Sequence, residues 1–261
     1  MKAFAAAVAI LGFVGASASA KSPFDGRWVQ DLDSQSGLSQ DEYLIVDGTY
    51  SCGSCSPVRS YPADGMPHAI PGAADVTSEA VTITGPRTIV TRIVSPAMTR
   101  VTTMTVAPDN KTATYVSIDH RPGVKGPLRT EYLARRTANA PVGAHPVSGT
   151  WQGVRYVSVP EQILTIELHE SGDRFTYSVP IGVTFTARYG GEFVPVQGPY
   201  GGRVLAAVER VSYRQVIERR KEDGKLKLVR TYTVAPDGLS MEVAATNPDN
   251  NVTFRTIAHK K

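Results

Sequence analysis

The chain has 261 residues, 28 basic and 24 acidic side chains, a formal charge of +4, 41% hydrophobic content and only 2 Cys. This composition suits a folded globular chain and excludes disordered, fibrous and disulfide-rich classes. The small basic surplus is spread along the chain, which argues against nucleic acid as a partner.

Residues 1–20 read as a secretory signal. Lys2 supplies the positive start, Phe4 to Gly15 a short apolar run, and Ala18-Ser19-Ala20 the small residues before a cleavage site. Cleavage near Ala20 would place the mature chain in the periplasm or outside the cell. No Cys follows the apolar run directly, so lipid attachment is not expected. After residue 20 no stretch reaches the roughly 18 apolar residues of a membrane span.

The remainder repeats itself. Val101-Thr102-Thr103-Met104-Thr105-Val106-Ala107-Pro108-Asp109 aligns with Val229 to Asp237 at seven of nine positions. Asn110 then matches Gly238, and both residue types accept a left-handed turn. The only two Trp each close a Gly-x-Trp, at Gly26-Arg27-Trp28 and Gly149-Thr150-Trp151. Gly65 and Gly72 match Gly191 and Gly198. Two diverged copies follow, 22–137 and 146–261, with residues 138–145 as the linker.

Each copy is predicted to be all-β. Leu164, Ile166 and Leu168 alternate with polar residues, as do Phe175, Tyr177 and Val179, and Leu226 and Leu228. In the first copy, Val81 to Ile83, Thr88 to Val94, Val101 to Val106 and Thr112 to Ile118 follow in quick succession. Asp47-Gly48, Asp64-Gly65, Asp223-Gly224 and Asp237-Gly238 are hairpin turn signals. Ser39-Gln40-Asp41-Glu42 has capping-box spacing but runs into the strand-like Tyr43 to Val46, so no helix is expected in the mature chain. The expectation is two tandem antiparallel barrels or half-barrels of about seven to eight strands each.

Gly-x-Trp opening a first strand resembles the lipocalin pattern. That resemblance implies a Trp plugging one barrel end, with a basic residue near the last strand packed over it. Arg135 and Arg136 close the first copy, and Lys260 and Lys261 close the second, so each pair stands as a candidate partner by position. Trp28 and Trp151 are accordingly structural plugs. The first copy is also similar to a set of uncharacterised bacterial exported proteins. The shared features are Gly26-Arg27-Trp28, Gly48-Thr49-Tyr50 with Cys52 and Cys55, Ala63-Asp64-Gly65, and the turn Ala107-Pro108-Asp109-Asn110. This second resemblance implies architecture and transfers no catalytic residue.

Features present in one copy only are where function could sit. Cys52-Gly53-Ser54-Cys55 has flanks that read as a strand end and a loop, not the strand–helix unit that stabilises a redox thiolate. A local disulfide is the expected outcome in an oxidising compartment, ahead of redox or metal roles. Ser56, Asp64 and His68 contain the residue types of a hydrolase, with Asp119-His120 on a later loop. No nucleophile elbow accompanies them, and the second copy has Gly190 and Val194 where the first has Asp64 and His68. His145, His169 and His259 lack metal-ligand spacing. Tyr189-Gly190-Gly191 and Tyr200-Gly201-Gly202 read as flexible turns, and the charge run Glu218 to Lys225 as a solvated hairpin tip. No catalytic set, metal site or cofactor is implied.

The functional expectation is an exported, non-catalytic protein holding a small apolar ligand in a lipocalin-like barrel. Met104, Phe175, Tyr177 and Tyr232, on alternating inward rows, are the candidate lining residues. The alternative is a structural or protein- or glycan-binding component of the envelope, with a hydrolase behind it. Ligand identity and oligomeric state are open at this point.

Overall fold

The computed structural model describes residues 22–73, 76–198 and 202–261, so the expected leader at 1–20 lies outside the described residues. In chain order the first strands are β1 (Gly26–Gln30), β2 (Gln40–Val46), β3 (Thr49–Cys52), β4 (Arg59–Pro62), β5 (His68–Ala69), β6 (Ser78–Gly85), β7 (Thr88–Val94), β8 (Thr99–Val106), β9 (Thr112–His120) and β10 (Leu128–Asn139). Then come β11 (Gly149–Ser158), β12 (Thr165–Ser171), β13 (Arg174–Val179), β14 (Val183–Arg188), β15 (Val194–Pro195), β16 (Val204–Ser212), β17 (Gln215–Glu222), β18 (Lys225–Val234), β19 (Ser240–Asn247) and β20 (Val252–Lys260). The described helix is limited to a 3-10 turn, Leu32–Ser34, and a four-residue α1, Glu161–Leu164. Leu164 therefore precedes the strand it was expected to open. None of this helix is long and apolar enough to cross a membrane.

The strands form two nearly closed antiparallel sheets of ten. The expected seven to eight strands fall short because β5 and β15 are two residues each, too brief to display alternation, and because β4 lies beside Pro and Gly. Asp47 and Gly48, and again Asp223 and Gly224, take positive φ between their strands, as a two-residue hairpin demands.

The sheets do not follow the boundaries of the sequence repeat. The first barrel runs β4-β3-β2-β11-β10-β9-β8-β7-β6-β5, and the second β14-β13-β12-β1-β20-β19-β18-β17-β16-β15. Each copy thus lends its opening strand to the other. β11 is the hairpin neighbour of β10 across the short segment 140–148, and it fills the place between β10 and β2. β1 is left to close the other sheet between β12 and β20. Sequence-adjacent antiparallel pairing is the favoured connection, which accounts for the exchange.

Each core surrounds a Trp from the other copy. Trp28 is fully buried with Phe24, Ile166, Phe175, Tyr232 and Met241, whereas Trp151 is fully buried with Val147, Ile45, Tyr50, Ile89 and Tyr115. The two indoles are equivalently held. Trp28 Nε1 donates to the Phe24 carbonyl at 2.8 Å, and Trp151 Nε1 to the Val147 carbonyl at 2.8 Å. Lys260 Nζ lies 4.8 Å from the Trp28 ring, and the Arg136 guanidinium 4.1 Å from the Trp151 ring. The covering cations were expected within each copy, with Arg135 or Arg136 serving Trp28. That pairing is corrected, because β1 and β11 have changed places, and Arg135 points outward and is exposed. The glycine of each Gly-x-Trp has a physical reason. Gly149 has φ +121° and a Cβ there would meet the Ala138 carbonyl and Arg136 Nη1 at 2.6 Å; Gly26 has φ +139° with Lys260 Cε 3.2 Å away.

Candidate functional site

The pairing register aligns the two barrel interiors position by position and separates what the fold needs from what one barrel alone has. Asp41 pairs with Trp151 where Ile166 pairs with Trp28. Tyr115 pairs with Tyr132 where Val243 pairs with Thr256. Thr91 pairs with Thr102 where Glu218 pairs with Arg230, and Met104 stands where the second barrel has Tyr232.

In the second barrel these positions build an ion network. Glu218 is fully buried. Its carboxylate accepts from Tyr232 Oη at 2.6 Å, pairs with Arg230 at 3.3 Å, and pairs with Arg220. Burial pushes its carboxyl up, but the two guanidiniums and the tyrosine outweigh that and hold it below the usual range. Reading 218–225 as a solvated tip is therefore corrected: only Asp223-Gly224 is the turn, and the alternation of β17 turns Glu218 and Arg220 inward. A recess of about 250 Å³ remains beside the network, lined by Tyr177, Ile166, Val183, Phe254 and the two arginines.

In the first barrel Thr91, Thr102 and Met104 stand in place of Glu218, Arg230 and Tyr232, and a cavity of about 300 Å³ opens. Ile89, Ile93, Met104 and Leu38 supply apolar wall, while Tyr43, Tyr50, Tyr115, Tyr132 and Tyr156 supply rings. Tyr115 and Tyr132 stack at 4.4 Å, Tyr132 and Tyr156 meet at 5.7 Å, and Tyr43 and Tyr50 stack at 5.9 Å. Burial raises the phenols of Tyr43, Tyr50, Tyr115 and Tyr132, so they remain hydrogen-bond donors across the physiological range.

Four charged groups line the cavity. Arg59 Nε bonds Glu79 at 2.6 Å and ties β4 to β6 across the seam of the sheet. Arg100 grips Asp119 with Nε at 2.6 Å and Nη2 at 2.8 Å, and Arg121 adds a third bond to the same carboxylate. Burial would raise Asp119, but these arginines hold its carboxyl low. Asp119 thus lies in β9, buried, and not on a loop as expected. Asp41 receives the Tyr132 hydroxyl at 3.3 Å, and burial raises its carboxyl despite that bond.

The other expected site residues are placed as follows. Met104 lines the cavity and Tyr177 the second barrel's recess. Phe175 packs against Phe24, Tyr189 and Tyr232 inside the second core, and Tyr232 serves Glu218. Cys52 and Cys55 are disulfide-bonded, and Cys55 reaches the cavity wall. The ring closed by four residues is small, so replacing both by Ser is expected to cost about 2 kcal/mol, read as a fall in the urea midpoint. His68 Nε2 meets Asp64 Oδ1 at 3.0 Å in a partly exposed pair, with the His68 ring stacked on buried Tyr61 at 4.7 Å. Among the described residues no hydrogen bond joins Ser56 to that pair, His120 is exposed, and no cluster of three or more His, Cys, Asp or Glu has metal-binding geometry.

Asp41 and the five lining tyrosines are not among the site residues expected from the sequence, where Asp41, Tyr43 and Tyr50 appear only within a capping-box spacing, a strand and a shared motif. The signal that could have found them is the mismatch between copies: Asp41 against Ile166, and Tyr115 against Val243. Comparison of the sequence with protein-family models and with curated proteins finds no match.

Proposed function

We propose that the chain is an exported, lipocalin-like carrier that holds a small, largely apolar molecule in the cavity of its first barrel. The observation that carries this reading is the cavity itself: about 300 Å³, walled by tyrosines and aliphatic side chains with charged and hydroxyl groups among them, in the barrel that also has the disulfide. Protein cavities of this size hold compact ligands, with an apolar wall for affinity and a few polar groups for orientation. The second barrel, with its buried ion network, serves as scaffold.

The test is mass spectrometry of small molecules extracted from exported protein before and after denaturation. One compound, released near stoichiometrically and only on denaturation, is expected. Thr91→Trp, which projects an indole into the cavity, should cut the recovered compound at least about tenfold while circular dichroism stays unchanged. Equal recovery from folded Thr91→Trp, or no compound from the wild-type protein, would overturn the reading.

A further inference from the structure

Resting on that reading, we propose that the cavity selects a small organic ammonium ion, with Asp41 as its counter-charge and the tyrosine rings as its cage. Two carboxylates line the cavity. Glu79 is neutralised by Arg59, whereas Asp41 has no ion pair among the described residues and only the Tyr132 hydroxyl, at 3.3 Å, as side-chain partner. Arg100, the other lining cation, is committed to Asp119 through two bonds.

A half-buried carboxylate without a cation is costly, and the fold does not require this one: the same position beside the other indole is Ile166. Tyr115 gives a second, independent pointer. Its hydroxyl is buried with no hydrogen-bond partner, and its counterpart is Val243. A bound ammonium would donate to both oxygens, and the electron-rich tyrosine faces would attract its charge. A neutral apolar guest would leave the Tyr115 hydroxyl unpaired and Asp41 without a counter-charge. An anion would face the Asp41 charge and find Arg100 already engaged.

The experiment is isothermal titration of the full mature chain with three size-matched probes: phenethylammonium, 2-phenylethanol and phenylacetate. The cation should bind about tenfold or more tighter than the alcohol, and phenylacetate should bind most weakly. Asp41→Asn should bring the cation to parity with the alcohol without lowering the thermal midpoint. Tyr132→Leu, a second variant, should weaken the cation more than the alcohol. Equal binding of cation and alcohol by the wild-type chain, preference for the anion, or a cation preference that survives Asp41→Asn would overturn the inference and leave the carrier reading standing. Failure of all three probes would also overturn it, and the carrier reading would then be judged by the extraction experiment alone.

Discussion

Trp28→Ala is expected to loosen the second barrel and leave the first intact. Trp28 sits in the amino-terminal copy, but its indole fills the core built by β12 to β20. Truncating a buried aromatic of this size costs about 3–5 kcal/mol. Hydrogen exchange read by mass spectrometry should show lost protection across β12 to β20, with β2 to β10 close to wild type. Trp151→Ala should give the mirror result, because that indole packs against Ile45, Tyr50 and Ile89. Loss confined to β2 to β10 in Trp28→Ala would refute the strand exchange.

The second large effect is expected at Glu218. Glu218→Gln removes the carboxylate that balances Arg220 and Arg230, whose side chains are only 12% and 18% exposed. Breaking a buried ion network by removing one partner costs about 3–5 kcal/mol, mostly from the charges left uncompensated. The pH dependence follows from the direction of the shift. The folded-state carboxyl is held below its ordinary value of 4.5, so the folded state binds its proton less readily than the unfolded chain does. Its contribution is full above that value and fades as pH falls through it toward the folded-state value. Urea midpoints should therefore drop more steeply below about pH 4.5 in the wild-type chain than in Glu218→Gln. Equal stability of the two at pH 7 would show that the network contributes little.

The elements themselves were largely legible. Strand patterning located β7 to β9, β12 and β13 within a few residues and the start of β18, and three of the four Asp-Gly pairs marked hairpin turns, whereas Asp64-Gly65 joins β4 to β5, which do not pair with each other. That the chain builds two like sheets was legible from the two Gly-x-Trp openings and the shared Val-Ala-Pro-Asp run. The exchange was not. β1 and β11 carry the same Gly-x-Trp pattern, so either fits either groove, and the choice rests on the short hairpin joining β10 to β11. The cavity escaped for a different reason. Period two tells which face of a strand is inward, but not whether facing side chains fill the space between them. Thr91 and Thr102 look unremarkable until Glu218 and Arg230 are seen at the matching positions. Glu218 and Arg220 were mistaken for surface because a charged run reads as wet, whereas mutual neutralisation lets opposite charges turn inward.

The crossed opening strands also bear on how such a chain can be trimmed over time. Cutting away either half removes the closing stave of the half that stays, leaving a ten-stave cask with one gap and no indole at its base. Losing one copy would therefore require the survivor to take its own opening strand home in the same event. Two sheets closed in this way stand or fall together.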